Sequence, residues 1–263
     1  MRPPLSAVKA LVAEERLGAL VTVIEGPGLG ASAVLDAEAG VVAGSLPDEI
    51  AGDVVADAGA LMAVEQSRSL RYGDHRVFVE TVAPRPRLLV VGAGAVAEPL
   101  IAMARIMGYH VTLADPRPAF TTRERFPDAH DLLVGWPADL DLHYDRRTYV
   151  VVLSHDARIE DALLPDALRS PARYIGAMGS RRTHAKRLER LAAMGFDDEA
   201  LGRIHGPVGL DLGAETPAEV AVSILAEMTT VRYGSGTGRA LRGREGRVHL
   251  QKPGPGDVGT AGA

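Results

Sequence analysis

The segment LLVVGAGAVA, residues 88–97, constrains the fold of this chain more than any other stretch. Four apolar residues predict a buried strand, and apolar residues at helical spacing after the glycines predict a helix. Gly92 permits a tight turn, Gly94 permits close approach of a phosphate, and Ala97 permits close packing of helix on strand. The free amides at a helix start favour an anion. The segment, with Ala95 inside it, therefore predicts a phosphate-binding turn; a tight turn that binds nothing is the alternative.

Short apolar runs alternate with helical segments from Leu88 onward. The runs are LLVV, HVTLA, DLLVG, TYVVVLS, RYIGAMG and GRIHGPVGL. Strands that are apolar throughout and separated by helices are typical of a parallel sheet covered on both faces. We therefore predict an α/β fold with a Rossmann-like, doubly wound parallel sheet.

The residues before this sheet predict a small α+β domain. Two helical patterns surround the short strand patterns ALVTVIEG, ASAVLD and GVVAG, and RVFVETVAP alternates apolar and polar residues as a half-buried strand does. The Pro-rich APRPR that follows is typical of a domain boundary. We predict domains at 1–84 and 85–234, and a flexible tail at 235–263, which is rich in Gly, Pro and charge.

Composition narrows the classes of function. The net charge is -5 and the arginines are scattered, which argues against a nucleic-acid or anionic-membrane surface. No apolar run approaches the roughly 20 residues of a membrane span, and the start of the chain lacks the layout of a signal peptide, so we expect a cytoplasmic protein. Cysteine is absent, which excludes thiolate, persulfide and Cys-ligated metal chemistry. We assign no catalytic residue and no metal ligand.

Asp115 and Arg117 follow the second strand of the predicted sheet. Asp115 lies about 20 residues after the glycine turn, where a carboxylate usually holds the ribose hydroxyls of a nucleotide. Arg117 has three candidate roles: it receives a 2'-phosphate, it stacks on an adenine, or it pairs with Asp115 and holds the loop. We predict that both residues contact the ligand, with the loop anchor as the alternative for Arg117.

The tripeptide SHD follows the strand pattern TYVVVL, at an end of the sheet where ligands of such folds bind. His155 is a candidate phosphate donor or proton-transfer group, and Asp156 either orients it or caps the next helix. Adjacent side chains point apart, so a Ser-His-Asp triad is disfavoured. We predict that Ser154, His155 and Asp156 contact the ligand, with a cap-and-scaffold role as the alternative.

The stretch GAMGSRR predicts an anion seat at a helix start. Gly179 precedes Ser180, a good helix cap, and Arg181 and Arg182 follow in the first helical turn. Arginines in a first turn oppose the helix dipole, so they favour a bound anion there. One face of the same helix is predicted to be a solvated basic surface formed by Arg182, Lys186 and Arg190.

The loop GPVGLDLG, residues 206–213, precedes a helix that a capping box of Thr216 and Glu219 begins. Its glycines predict special backbone angles that shape the loop around a ligand. Pro207, Gly209 and Asp211 are the candidate contacts. A turn-stabilising Asx bond is the alternative for Asp211.

With these motifs in view, the chain resembles the xanthine dehydrogenase accessory family (XdhC/CoxI) over roughly residues 75–250. The stretches that carry the resemblance are FVETVAPRPRLLVVGAG, VTLADPRPAF, SHD, YIGAMGSRR and GPVGLDLGAETPAEVAVSILAEM. The resemblance implies a molybdenum-cofactor (molybdopterin) chaperone that delivers the sulfurated cofactor to a molybdenum hydroxylase apo-enzyme, such as xanthine or carbon monoxide dehydrogenase. It also implies a homodimer.

The N-terminal region departs from the family's usual pattern. EGPGLGAS and GSLPDEI stand where the family has its GSSPR and GSxSGGC elements, so the basic residue and the cysteine are missing. Ala95 stands where many members have histidine. These differences indicate a divergent branch, a regulatory paralogue or a partner of a fuller family member.

Two other functions remain open. An NAD(P)-dependent oxidoreductase accounts equally well for the glycine turn and Asp115, and it requires a proton donor, for which His155 is the candidate. A scaffold that docks on a dehydrogenase and binds no ligand is favoured by the altered N-terminal motifs. The resemblance of the C-terminal loops to the family favours the chaperone.

Overall fold

The structure, a computed structural model, describes residues 3–234 and 236–243. The described chain divides into two compact units at the junction of Pro84 and Arg85. Most of the tail predicted for 235–263 lies outside the described residues. Within the described part of the chain, no helix is both long enough and apolar enough to cross a membrane.

The first unit is an antiparallel sheet with two helices. Its elements are α1 (Pro4–Ala13), β1 (Gly18–Glu25), β2 (Ser32–Asp36), β3 (Gly40–Gly44), α2 (Asp48–Ala63), β4 (Arg68–Tyr72) and β5 (His75–Val82). The strand order is β3-β2-β1-β5-β4. Apolar residues of α2 pack on one face of the sheet, and α1 packs on a second cluster that includes Val34 and Ala43.

Strand β4 was not among the sequence predictions. It pairs with β5 through a hairpin in which Tyr72 is the partner of His75, so only Gly73 and Asp74 form the loop. A glycine in a two-residue hairpin loop is the expected signal for such a turn. Half-buried and exposed residues alternate along β4, which explains why its short apolar pattern was too weak to identify.

The second unit is a parallel sheet of six strands with helices on both faces. Its elements are β6 (Arg87–Val91), α3 (Ala97–Ile106), β7 (His110–Asp115), β8 (Asp131–Val134), β9 (Thr148–Val152), α4 (Ala157–Arg169), β10 (Tyr174–Ala177), α5 (Arg181–Ala193), α6 (Asp198–Leu201), β11 (Ile204–His205) and α7 (Pro217–Tyr233). The strand order is β11-β10-β9-β6-β7-β8, and each pairing is parallel. This is the 3-2-1-4-5-6 order of the Rossmann fold, which confirms the predicted fold class.

The two faces of the sheet bury alternate residues of the same strands. Leu88 and Val90 of β6 belong to a core that includes residues of α3 and α7. Leu89 and Val91 belong to a second core with residues of α4 and α5. Continuous apolar runs such as LLVV result from this double coverage, because both sides of each central strand are removed from water.

Helix α7 begins as the sequence predicts. The Thr216 side chain accepts a hydrogen bond from the Glu219 amide, and the Glu219 carboxylate accepts one from the Thr216 amide, so the capping box is confirmed. Ile224, Leu225 and Met228 of this helix are buried. The capped helix start fixes the end of the 206–213 loop.

Candidate functional site

The glycine turn between β6 and α3 contains two glycines with different constraints. Gly92 has a φ of +112°, and a Cβ atom there would lie 2.8 Å from the backbone nitrogen of Ser154. Gly94 differs, because a Cβ atom at this position would meet no atom within 4 Å. Ala97 is fully buried, as a helix packed closely on a strand requires. Gly92 therefore shapes the turn, and Gly94 leaves open space beside it.

Some backbone amides of this turn donate hydrogen bonds within the protein, and others have no acceptor among the described residues. The Gly92 amide donates to the Ala114 carbonyl at 2.9 Å, and the Ala93 amide donates to the Asp115 carboxylate at 2.7 Å. In the described part of the chain, the amides of Gly94, Ala95 and Val96 have no acceptor. Unused amides at the start of a helix attract an anion, because the helix dipole adds partial positive charge there.

Asp115 lies beneath the turn and is buried. Its side chain is 1% exposed. Its oxygens accept from the Ala93 amide, from the Arg117 amide, and from Nε and Nη2 of Arg117 at 2.9 and 2.8 Å. Burial by itself would raise its pKa, but these bonds with the Arg117 guanidinium and the two amides hold the pKa of Asp115 below its usual value.

In this structure the Asp115 carboxylate accepts four hydrogen bonds from within the protein. Its contact with the ribose of a ligand stays a prediction. The Arg117 guanidinium pairs with Asp115, which is the loop-anchor role considered for it. The Arg117 side chain is nevertheless half exposed and lines a cavity.

That cavity lies where the strand order reverses, between the loops that follow β6 and β9. Its volume is about 550 Å³, within the usual range for ligand sites. Ligands of open α/β sheets bind at this switch point. The residues that line it include Gly94, Arg117, Trp136, His155, Asp156 and Arg158.

In the SHD tripeptide, Ser154 and Asp156 make hydrogen bonds that stabilise the loop after β9 and the start of α4. Ser154 Oγ accepts from the Asp156 amide at 3.1 Å, and Asp156 caps α4 by accepting from the Arg158 amide at 2.9 Å. These bonds match the cap-and-scaffold alternative for Ser154 and Asp156. His155 is exposed and makes no hydrogen bond within the described residues. A Ser-His-Asp triad is not formed.

A second cavity, of about 540 Å³, lies beyond His155, which lines both. The sequence-predicted residues Gly179, Ser180, Pro207 and Asp211 line it. Apolar side chains from Met178, Val208 and Leu210 complete part of its wall. In the part of the chain that the structure describes, the Asp211 carboxylate makes no hydrogen bond, so the Asx turn considered for it is absent.

The arginines predicted as an anion seat lie outside both cavities. Ser180 caps α5, since its hydroxyl accepts from the Thr183 amide. Arg181 and Arg182 follow it with exposed side chains, and they do not line the second cavity. Gly179, at a φ of +141°, brings the backbone close to Thr183. The anion seat at these arginines stays a prediction.

The 206–213 loop is held by α7 through a residue that the sequence did not single out. The Glu227 carboxylate accepts from the Gly209 amide at 2.9 Å, from the Tyr174 hydroxyl at 2.5 Å, and from His205 Nδ1 at 3.0 Å. Gly209 has a φ of +101°, and a Cβ atom there would collide with the hydroxyl of Ser223. The loop therefore needs glycine for its shape. Its position depends on an acid 18 residues away.

Glu227 makes the stability of this loop depend on pH. Burial would raise its pKa, but the hydrogen bonds from His205, Tyr174 and Gly209 hold the pKa of Glu227 below its ordinary value of 4.5. Because the pKa is lowered, the stability that the ionised Glu227 adds to the folded protein is fully present above about pH 4.5. It is lost as the pH falls through the lowered pKa.

We expect Glu227→Gln to cost roughly 2 kcal/mol of unfolding free energy at pH 7, because bonds to a charged acceptor are stronger than neutral ones. The difference from wild type will shrink below about pH 4, where the wild-type carboxyl becomes protonated. Urea unfolding at neutral and at acidic pH measures it. A difference that stays constant between the two conditions would contradict this account.

A buried ion pair fixes the backbone before Ser180. Arg187 of α5 is 0% exposed and Glu160 of α4 is 2% exposed, and Arg187 Nη2 lies 2.6 Å from the Glu160 carboxylate. The same Nη2 donates to the Met178 carbonyl at 2.7 Å. Arg190 also pairs with Glu160 and with Asp161. The prediction that Arg190 belongs to a solvated surface is therefore wrong, because its guanidinium pairs with two carboxylates of α4.

The strand order and the glycine turn define a Rossmann-type domain. A family model described as the XdhC Rossmann domain matches residues 88–228, which is more than half of the chain. The chain therefore belongs to the XdhC family.

Curated relatives agree with this membership. A protein of Bacillus subtilis named as a probable xanthine dehydrogenase subunit is 32% identical over 158 residues, which cover 59% of this chain and 46% of that protein. The molybdenum cofactor insertion chaperone PaoD of Escherichia coli is 32% identical over 149 residues, 57% of this chain and 41% of PaoD. The chain thus spans less than half the length of these relatives.

A crystal structure described as a xanthine dehydrogenase of Bacillus halodurans superposes with a TM-score of 0.52. The superposition covers 91% of this chain and 98% of that one, at 18% identity. At this identity the likeness shows the fold alone.

Proposed function

We propose that this protein binds the molybdenum cofactor and assists the maturation of a molybdenum hydroxylase. Membership of the XdhC family supports an accessory role, and one relative is named as an insertion chaperone for this cofactor. The observation that carries the proposal is the open space at Gly94, beside unused amides and a cavity of about 550 Å³.

The residues present fit a phosphorylated, flat ligand. The amides of Gly94, Ala95 and Val96 suit a phosphate, because they offer donors at a helix start. The second cavity suits the pterin, because the Asp211 carboxylate would be available to accept from ring N–H groups and the apolar Val208 and Leu210 side chains would contact the ring. His155 lines both cavities, so one ligand reaching from one to the other passes it.

The bound group would supply the redox and oxygen-transfer chemistry of the recipient enzyme. The residues of this chain would hold and orient it, since their contacts are hydrogen bonds and packing. We propose as partners the apo-form of the hydroxylase, a second copy of this chain and a fuller family member.

A second candidate function is NAD(P)-dependent oxidation. The GxGxxA turn and the 3-2-1-4-5-6 strand order favour it. It requires Asp115 or a substitute to hold the ribose, and a pairing of Asp115 with Arg117 competes with that contact. It also requires a proton donor, and the exposed His155 is the one candidate among the site residues named above.

Copurified pterin tests the proposal. Protein purified from a host that makes molybdopterin should release pterin on denaturation, measured by the fluorescence of its oxidised form at close to one per chain. The matched control is the same protein from a host that cannot make molybdopterin. Absence of pterin together with steady NADPH oxidation by an aldehyde or ketone would favour the second candidate instead.

A further inference from the structure

The 206–213 loop, which walls the second cavity, is fixed along its first half. Three consecutive amides there donate hydrogen bonds to other elements: Val208 donates to β10, and Gly209 and Leu210 donate to α7. The donor–acceptor distances are 3.2, 2.9 and 3.1 Å. This half of the loop therefore cannot move away from β10 and α7 without breaking these bonds.

The segment that follows, residues 211–214, has no such anchors. In the described part of the chain, none of its four backbone amides donates a hydrogen bond. Hydrogen bonding resumes at Glu215, whose amide donates to the Glu219 carboxylate at 3.0 Å. A short segment without backbone hydrogen bonds, held between two fixed points, opens and closes locally at little cost in free energy. Leu210 and Glu215 are the fixed points here.

The free segment carries an apolar side chain at the cavity. Leu212 lines the second cavity although it is 51% exposed. Gly213 follows it with a φ of +69°, and a Cβ atom there would meet no atom within 4 Å. A glycine in open space is free to change its backbone angles, as the hinge positions of closing loops do. Leu212 can therefore move without breaking a hydrogen bond of its own segment.

We propose that residues 211–214 form a lid, and that Leu212 closes over a flat ligand bound in the second cavity. The inference rests on the proposed function for the identity of that ligand, which is the pterin part of the cofactor. The ligand drives the closure, because contact between Leu212 and a ring removes apolar surface from water only when the ring is present. The closed lid excludes water from the ligand and slows its release.

Amide hydrogen exchange of the full chain tests the closure. Pterin-loaded protein from a host that makes molybdopterin is compared with empty protein from a host that cannot make it. The amides of residues 211–214 should exchange fast in the empty protein and at least roughly tenfold more slowly in the loaded protein. Gly209 and Leu210 are the internal control, because their amides are already bonded and should exchange slowly in both. Equal exchange of residues 211–214 in the two forms would overturn the proposal.

Leu212→Ser is the test variant and Val222→Ser is its matched control. Val222 is 46% exposed on α7 and does not line the cavity, so both changes remove an exposed apolar side chain. Both variants should therefore melt close to wild type. Because burial of one leucine is worth about a factor of ten in binding, loaded Leu212→Ser should release pterin roughly tenfold faster after dilution. Equal release rates in the two variants would contradict the role of Leu212.

The outcomes separate the lid from the proposed function. If the wild-type protein holds pterin while residues 211–214 stay unprotected and Leu212→Ser releases it no faster than Val222→Ser, the lid is wrong and the chaperone function stands. If the wild-type protein holds no pterin, the chaperone function fails and the lid fails with it. Protection of residues 211–214 by bound pterin, with faster release from Leu212→Ser alone, supports both.

Discussion

Replacing Gly94 with valine will remove bound pterin from the purified protein and leave its melting temperature close to that of wild type. An added Cβ at Gly94 meets no protein atom within 4 Å, so the folded chain accepts it. The same atoms would occupy the open space beside the amides where a phosphate must approach. We expect at least a roughly tenfold loss of pterin per chain, with a stability change within about 0.5 kcal/mol.

Gly92→Val is the matched control for this prediction. Gly92 has a φ of +112°, and its added Cβ would lie 2.8 Å from the Ser154 nitrogen, so the change strains the backbone and forces two loops apart. We expect it to cost more than about 2 kcal/mol of unfolding free energy. If Gly94→Val keeps its pterin, the phosphate seat is misplaced. If Gly92→Val is as stable as wild type, the turn is not shaped as described.

Replacing Arg187 with methionine will destabilise the protein by about 3–5 kcal/mol, because it leaves the buried Glu160 carboxylate without its main partner. Both side chains are almost completely removed from water, at 0% and 2% exposure. The Met178 carbonyl loses a donor as well. Urea unfolding at neutral pH measures the change.

The double variant Arg187→Met with Glu160→Leu provides the control for this pair. Replacing both partners by apolar residues removes the uncompensated charge, so the double variant should be more stable than Arg187→Met alone. Arg190 is 32% exposed, and Arg190→Met should therefore cost less than Arg187→Met. A cost below about 1 kcal/mol for Arg187→Met would show that Glu160 finds water or Arg190 as a sufficient substitute.

The sequence predicts the larger part of the second unit because its signals are local. LLVV, TYVVVLS and YIGA form continuous apolar strands, and each is buried on both faces in the structure. The capping box of Thr216 and Glu219 spans a single helical turn, so it is visible in the sequence and correct in the structure. The glycine turn is likewise a local pattern with a local backbone requirement.

Contacts between distant residues explain what the sequence did not predict. Arg187 and Glu160 are 27 residues apart, and a charged residue in a helix gives no sign that it will be buried. Glu227 looks like a surface acid of α7, yet it holds Gly209, Tyr174 and His205. The spacing of Asp115 placed it correctly at a strand end. It could not show that the carboxylate points beneath the glycine turn and accepts from the Ala93 amide.

The central claim is that the cavity beside Gly94 holds a phosphorylated carrier and does not transform it. The mass of the ligand released from the wild-type protein tests this claim most directly. Protein from a host that makes molybdopterin should release, on denaturation, a phosphorylated pterin of the same mass as the host's own cofactor or its nucleotide form. Release of no phosphorylated molecule, or of one chemically altered relative to the host's free cofactor pool, would contradict the account.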